Sequence, residues 1–343
     1  MTNLLSALCG DDEIEALLGD ARQVAAMLAF ERALAEASAD CSWIGEDAAA
    51  AVGAAIDGFE PDWADLYAGM ARDGVVVPAL VKQLRARVAE PHGGALHRGA
   101  TSQDAIDTAM MVQIAGIFDV YERRLNAVLD ALDGLTRTHG HAQLMAHTRM
   151  QMALPTNWGA KLSSWGEPLG RHLRALSGLR GSLLVVQLGG PVGDGGSFEG
   201  HAEAIRAGVA QRLGLGIATP WQTQRDPIVA LGALLAQISG SLGKIGVDIA
   251  LLAQNEIGAV RLEGGGGSSA MAHKSNPVNA EVLVALARYN AGLSGVLAQA
   301  QIHEYERSGA AWTLEWLTLP QMLIACGASL RIGQTLLSQL RIG

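Results

Sequence analysis

Apolar residues recur at helical spacing along most of this chain, and they divide it into several long segments. Each segment places an apolar residue every three or four positions with polar residues between, the pattern typical of amphipathic helices. No proline interrupts the pattern between Asp104 and Thr138. The pattern predicts helices at 11–40, 104–138, 157–179, 198–213, 227–262 and 277–303, and again around Trp312, Trp316 and Leu317.

Composition favours helices over sheets. Hydrophobic residues make up 49% of the 343 positions, but aromatic residues make up only 4%. Strands prefer aromatic and β-branched residues, so a chain rich in Ala, Leu and Gly is expected to be all-α. One short β-like run, 183–188, is the exception. Within 227–262, glycines recur at 232, 240, 243 and 246, which predicts that neighbouring helices approach closely there.

Charge and residue usage exclude several classes of function. The net charge of −9 argues against a general nucleic-acid binder, although a few local cations can still define a site for an anion. Cysteines stand at 9, 41 and 326 without metal-type spacing, and the nine histidines show no HExxH pattern. We therefore expect no metal, no cofactor and a reducing, cytoplasmic location. The acidic start is not a signal peptide, and Gly, Gln, Lys or Asp interrupts every strongly apolar window, so we expect no membrane span.

The segment from Gly264 to Glu281, GGGGSSAMAHKSNPVNAE, carries the clearest chemistry. Glycines relieve the steric limits on the backbone, so such a loop can close over a substrate. A flexible Gly/Ser linker is the simpler interpretation, but a linker does not require the lysine, asparagine and proline that follow. A phosphate-binding loop is excluded because His273, not glycine, precedes Lys274. The other glycine-rich stretch, GGPVGDGG at 189–196, does not give GxGxxG, so a dinucleotide-binding domain is rejected.

Four polar junctions lie at the ends of the predicted helices. They occupy residues 97–104, 147–151, 222–226 and 268–276. Because the helices are long, the four junctions cannot all meet within one subunit, which predicts a homo-oligomer. At the first junction a helix cap is the favoured role of Thr101 and Ser102, although free N–H groups there also suit a carboxylate.

Three of these segments resemble the fumarase/aspartase superfamily. The loop matches GSSxMxxKxNPxxxE, and its matching residues are Gly267, Ser268, Ser269, Met271, Lys274, Asn276, Pro277 and Glu281. One departure is Ala272, where most relatives have proline. GATSQDAIDTA and HTRMQMALP resemble the first and second conserved regions of the superfamily. The resemblance implies a central long-helix bundle and a homotetramer whose active sites each draw on three subunits.

The resemblance also implies how the chain is divided. We expect an N-terminal helical domain at 1–91, with a boundary at the breaker-rich 91–94, and a bundle domain carrying the active site at 92–320. Residues 321–343 are expected to be the remnant of a C-terminal domain, because the chain ends roughly a hundred residues before typical relatives do.

Superfamily members add or eliminate a group β to a carboxylate through an aci-carboxylate dianion. The resemblance assigns proton transfer to Ser268, and Lys274 and Asn276 would stabilise the dianion. The predicted catalytic residues are Ser268, Lys274, Thr148 and His147. The predicted substrate-binding residues are His97, Thr101, Ser102, Gln103, Arg149, Gln151, Arg225, Ser269, Asn276 and Arg307.

Within the superfamily, the closest resemblance is to the bacterial 3-carboxy-cis,cis-muconate cycloisomerases of aromatic degradation. Other members place Thr-His in the second region, whereas this chain has Thr148-Arg149, and a tricarboxylate substrate would justify the additional cation. A buried ion pair is the alternative role for Arg149. Adenylosuccinate lyase or another fumarate-releasing lyase is the alternative family, although 75–80 lacks the upstream histidine of the former. A crystallin-like structural homologue is the non-enzymatic alternative, and the intact Ser268, Lys274 and Asn276 argue against it.

Overall fold

The computed structural model describes residues 4–264, 266–267, 271 and 275–343. Within those ranges the fold is a bundle of long helices, and short strands connect some of them. The elements are α1 (Leu4–Cys9), α2 (Asp12–Leu18), α3 (Asp20–Asp40), α4 (Glu46–Ile56), α5 (Trp63–Asp73), α6 (Val77–Arg85), α7 (Ser102–His139), β1 (Gln143–Thr148), β2 (Gln151–Asn157), α8 (Trp158–Leu183), α9 (Ala202–Leu213), α10 (Asp226–Leu252), β3 (Val260–Leu262), α11 (Val278–Gln299), α12 (Gly309–Gln339) and β4 (Leu340–Ile342).

The largest core lies between the long helices α7, α8, α10, α11 and α12. In α10 the buried positions Leu231, Leu235, Ile238, Leu242 and Ile245 follow the helical period, as the sequence pattern predicts. Burial of this stripe removes apolar surface from water and holds the bundle together. The all-α prediction is confirmed.

Glycines allow α10 and α11 to approach closely. A Cβ at Gly243 would lie 2.5 Å from the Ala287 Cβ, and one at Gly246 would lie 2.5 Å from the Ala280 carbonyl oxygen. Gly232 is similarly confined by Leu297. The prediction of close helix contacts is confirmed at these three positions. It is wrong for Gly240, where a Cβ would meet nothing within 4 Å.

A second core joins α3–α6 to the start of α7 and to α9. Trp312, near the start of α12, contributes to this core. The helix α12 is continuous from Gly309 to Gln339 and passes through the expected boundary at 320/321. The proposed division into domains at 91 and 320 remains a prediction.

Several predicted boundaries require correction. The helix predicted for 227–262 ends at Leu252, and Val260–Leu262 pairs antiparallel with Leu340–Ile342 at the chain end. The helix predicted for 198–213 begins at Ala202. Gly19 separates the predicted 11–40 helix into two. In the described chain, the β-like run at 183–188 forms a single bridge, between Val185 and Gly216.

The helix α10 has the length and hydropathy of a membrane span. However, 56% of its most apolar window is buried inside the protein, as in the core helix of a folded bundle. Its apolar stripe therefore has a partner surface within the protein itself.

Candidate active site

The start of α7 is held by its own capping interactions. Thr101 occupies the cap position in an extended conformation, and its backbone N–H donates to Asp104 Oδ2 at 3.0 Å. This is the reciprocal arrangement known as a capping box, which satisfies N–H groups that the helix leaves unpaired. The predicted cap role is confirmed for Thr101, and Ser102 is the first residue of the helix.

Asp104 fastens the glycine-rich segment to this helix start. Its carboxylate accepts hydrogen bonds from the backbone N–H groups of Gly189 at 2.9 Å and Gly190 at 3.0 Å, and from Gln187 Nε2 at 3.1 Å. Burial raises the pKa of Asp104 to about 6, although these hydrogen bonds work in the opposite direction. These hydrogen bonds fix the start of the glycine-rich segment 189–196 against α7.

Arg307 lies beside the helix start, and none of its partners among the described residues is a carboxylate. Arg307 donates to Gln103 Oε1 at 3.0 Å, to Thr101 Oγ1 at 3.2 Å and to the Pro191 carbonyl at 3.1 Å. In the ranges that the structure covers, all its acceptors are neutral. Gln103 also donates to the Gln222 carbonyl at 2.8 Å, so the 97–104 and 222–226 junctions meet. Such a side chain retains its positive charge for an anionic ligand.

Arg225 is buried in the core and is not exposed beside Arg307. Its side chain is 1% exposed and is ion-paired with Asp107 at 2.7 Å and with Glu315 at 2.5 Å. It also lies 4.6 Å from the Trp221 ring centroid, while Trp312 Nε1 donates to Asp107. Burial opposes the charge on Arg225, but Asp107 and Glu315 outweigh it and raise the arginine pKa. This geometry favours a structural role for Arg225 over the predicted contact with substrate.

The polar junction after α7 forms a β-hairpin, which the sequence analysis did not predict. Thr148 pairs with Gln151, and the two turn residues, Arg149 and Met150, have φ values of 51° and 65°. Side chains other than glycine, asparagine or aspartate rarely adopt this left-handed conformation, so the turn is strained. His147, Thr148, Arg149 and Gln151 are all exposed. Arg149 has no ion-pair partner in the described part of the chain, which disfavours the buried ion pair.

The ends of the predicted lid are tied together. Gly266 and Asn276 exchange two backbone hydrogen bonds, of 3.0 and 2.8 Å, so these two residues lie side by side. Asn276 and Pro277 then lead directly into α11. The predicted roles of Ser268, Ser269 and Lys274 fall on residues outside the described ranges.

Those predicted site residues that the structure describes lie at opposite ends of the bundle. The helix α7 has 38 residues and spans about 57 Å from Ser102 to the hairpin. Lys161, near the start of α8, lies 3.3 Å from Asp248, near the end of α10. Because α8 follows the hairpin, and Gly246 near the end of α10 packs against Ala280 at the start of α11, the hairpin and the start of α11 share the end far from Arg307. The prediction that the four junctions cannot all meet within one subunit is confirmed.

His97, another predicted substrate-binding residue, lies four positions before Thr101 and contacts a carboxylate that the sequence analysis overlooked. Its Nδ1 lies 2.6 Å from Glu31 Oε1, and the Glu31 side chain is 1% exposed. The position of Glu31 within the apolar pattern of α3 was the sequence feature that could have indicated this buried contact. No cluster of three or more metal-type ligands occurs among the described residues.

Comparison with known proteins identifies the family. A family model described as lyase matches residues 11–290. The 3-carboxy-cis,cis-muconate cycloisomerase of Pseudomonas aeruginosa is 36% identical over 96% of this chain and 73% of its own length. The nitrosuccinate lyase of Streptomyces davaonensis is 35% identical over 99% of this chain and 75% of its own length.

A solved structure agrees with the sequence matches. The 3-carboxy-cis,cis-muconate lactonizing enzyme from Pseudomonas putida superposes with a TM-score of 0.92 at 34% identity, covering 100% of this chain and 78% of that one. The sequence motifs, the long-helix bundle and these matches all agree: the chain belongs to the lyase family, within the fumarase/aspartase superfamily.

Proposed function

We propose that this protein is a cycloisomerase that converts 3-carboxy-cis,cis-muconate to 4-carboxymuconolactone. The observation that carries the proposal concerns two arginines, Arg307 and Arg149, neither of which has a carboxylate partner in the described chain. A permanently charged, planar guanidinium binds a carboxylate through two parallel hydrogen bonds. Similarity to the cycloisomerase of P. aeruginosa and to the lactonizing enzyme of P. putida supports this substrate over other polyanions.

The proposed reaction needs fixed positive charge and one proton. A carboxylate oxygen of the substrate adds to a carbon of the conjugated system and forms the lactone C–O bond. The displaced π electrons become a carbanion delocalised into a neighbouring carboxylate, which Lys274 and Asn276 would stabilise. Ser268 would deliver a proton to that carbanion, with His147 and Thr148 as the alternative donors. No further cofactor is required, because nothing is oxidised or reduced.

The proposed assembly is a homotetramer in which different subunits contribute the two ends of each site. The hairpin that carries Arg149 exposes four large apolar side chains: Met145 at 37%, Met150 at 75%, Met152 at 71% and Leu154 at 74%. Several large apolar side chains exposed on one hairpin are typical of an interaction site. Light scattering is expected to give a mass near four times the 35.7 kDa of one chain. A monodisperse monomer at assay concentration would contradict the shared site.

Replacing Arg149 by alanine is expected to lower kcat/KM for 3-carboxy-cis,cis-muconate by roughly 10- to 150-fold. One charged hydrogen bond contributes about 1.5–3 kcal/mol, and about 1.4 kcal/mol corresponds to a factor of ten. Arg149→Lys is expected to lower it as well, because lysine keeps the charge but not the planar fork. Muconate, which lacks the third carboxylate, should be a poor substrate whose turnover hardly changes. Unchanged kinetics of Arg149→Ala with the tricarboxylate would remove the argument for that substrate.

The nitrosuccinate lyase match supports a different activity on the same scaffold. Purified protein should therefore be assayed with 3-carboxy-cis,cis-muconate, nitrosuccinate and adenylosuccinate, following the ultraviolet absorbance of each. Turnover of the first alone supports the cycloisomerase, and turnover of either other substrate supports a lyase. No turnover of any of them by a folded tetramer supports the crystallin-like alternative.

A cytoplasmic location is also part of the proposal. All three cysteines are free, and Cys326 is completely buried in the bundle core. Thiols without disulfide partners are typical of a reducing compartment. We propose neither a nucleic-acid nor a membrane partner.

A further inference from the structure

Glu31 is a buried carboxylate with half of its hydrogen-bonding capacity unused. Its Oε1 contacts His97 Nδ1 at 2.6 Å, whereas its Oε2 is buried with no hydrogen-bond partner in the described chain. The residue projects from α3 into the core formed by α3–α6 and α7. Burying a charged group with an unpaired oxygen is costly, so its presence calls for a compensating role. We look for this role in the contact between Glu31 and His97.

His97 adopts a backbone conformation that needs external support. Its φ is 59°, in the left-handed region that residues other than glycine adopt infrequently. Within the described ranges, the Glu31 carboxylate is the single hydrogen-bond partner of the His97 ring. Arg85 holds the preceding backbone by donating to the Gly93 and Leu96 carbonyls, both at 3.2 Å. Together these contacts fix both the backbone and the ring of His97 just ahead of the α7 start.

The contact also fixes which edge of the imidazole is available. Because Nδ1 faces a carboxylate that is 1% exposed, the 14% of the His97 side chain that remains exposed belongs to the other parts of the ring. A carboxylate at Nδ1 retains the proton there and determines the tautomer of the ring. A proton on Nε2 as well would make the ring an imidazolium, whose free edge donates to an anion.

The charged groups around His97 come from three helices. Burial lowers its pKa, but Glu31 from α3 and Asp104 from α7 raise it, while Arg85 from α6 lowers it. The net direction is upward, so the imidazolium persists to higher pH than an isolated histidine would allow. A protonated His97 adds positive charge at the same end of the bundle as Arg307.

We propose that Glu31 is a positioning residue of the candidate site, holding His97 so that its free ring edge donates a hydrogen bond to a substrate carboxylate. This inference rests on the proposed function for the identity of that substrate. The Glu31–His97 pair itself does not depend on it, and the two are tested separately.

The first experiment measures the pair without any substrate. Diethyl pyrocarbonate acylates a neutral imidazole nitrogen, so the pH dependence of modification of the His97 peptide, followed by mass spectrometry, reports the protonation of His97. Glu31→Gln keeps the size and a hydrogen-bond acceptor but removes the charge. We expect its modification midpoint to move to lower pH. Glu36→Gln, on the same helix with an ion pair of 2.9 Å to Arg212, is the matched control and should leave the midpoint unchanged.

The second experiment measures kinetics with 3-carboxy-cis,cis-muconate. Glu31→Gln is expected to raise KM by about tenfold or more, the usual scale for weakening a charged hydrogen bond, with a smaller change in kcat. The alkaline limb of the kcat/KM profile should move to lower pH together with the modification midpoint. Glu31→Asp, which keeps the charge, should recover part of the loss.

His97→Asn separates the ring from the backbone strain, because asparagine tolerates the left-handed conformation. The loss of kcat/KM in His97→Asn should equal the loss in the double variant that combines His97→Asn with Glu31→Gln, because Glu31 acts only through the His97 ring. A modification midpoint in Glu31→Gln equal to that of the wild type overturns the proposal, whatever the enzyme's substrate is. Should Glu31→Gln not fold, Glu31→Leu carries the same test, because leucine also removes the charge, and a wild-type midpoint in that variant likewise overturns the proposal. A shifted midpoint in a protein that does not turn over 3-carboxy-cis,cis-muconate leaves the pair intact and contradicts the proposed function alone.

Discussion

Arg225→Met is expected to destabilise the protein by about 3–5 kcal/mol, because it leaves two carboxylates buried without their cation. Asp107 is 0% exposed and Glu315 is 1% exposed, so water cannot replace the guanidinium. Methionine has a similar reach and fills much of the space, so the loss reports charge more than packing. Urea denaturation followed by circular dichroism measures the change in the free energy of unfolding.

The matched control for this experiment is Arg180→Met. Arg180 pairs with Asp119 at 2.6 Å, but the Asp119 side chain is 72% exposed, so its loss should cost less than about 1 kcal/mol. Equal losses in the two variants would contradict a core role for Arg225. A folded, fully stable Arg225→Met protein that has lost only substrate affinity would return Arg225 to the substrate-binding residues.

Ser268→Ala is expected to lower kcat by about 10² or more while the fold stays intact, the usual scale for removing a positioned acid or base. The reaction ends with proton delivery to the carbanion, and alanine has no proton to deliver. Single-turnover measurements with 3-carboxy-cis,cis-muconate separate this step from binding. Ser275→Ala, at a variable position of the same motif, serves as control and should retain most of the activity. Turnover near the wild-type rate in Ser268→Ala would move the proton transfer to His147 or Thr148.

The sequence predicted features that depend on neighbouring residues. The cap at Thr101 and the start of α11 after Pro277 follow from local chemistry that acts within one turn of helix. The separation of the site into two ends also followed from the sequence, because helix length is proportional to residue number. These inferences needed no knowledge of which distant segments pack together.

Features that depend on distant partners could not be predicted in this way. The partners of Arg225 lie 118 and 90 residues away along the chain. The residues next to Arg225 in the sequence therefore do not indicate that it is buried. The apolar pattern continues past Leu252, and only pairing with the last residues of the chain makes Val260–Leu262 a strand. The hairpin was missed because Arg149 and Met150 form a turn that normally requires asparagine or glycine. A pattern of turn residues therefore does not reveal it.

The separation of Arg307 from the hairpin by the full length of α7 has a genetic consequence. In the proposed tetramer, a chain damaged at the hairpin still supplies an intact helix start, and a chain damaged at the helix start still supplies an intact hairpin. Two inactive alleles of these opposite kinds, expressed together, would assemble some sites from two undamaged halves and restore part of the activity. Two alleles damaged at the same end would not complement each other. Whether two inactive alleles complement each other would then depend on whether they affect opposite ends of one helix.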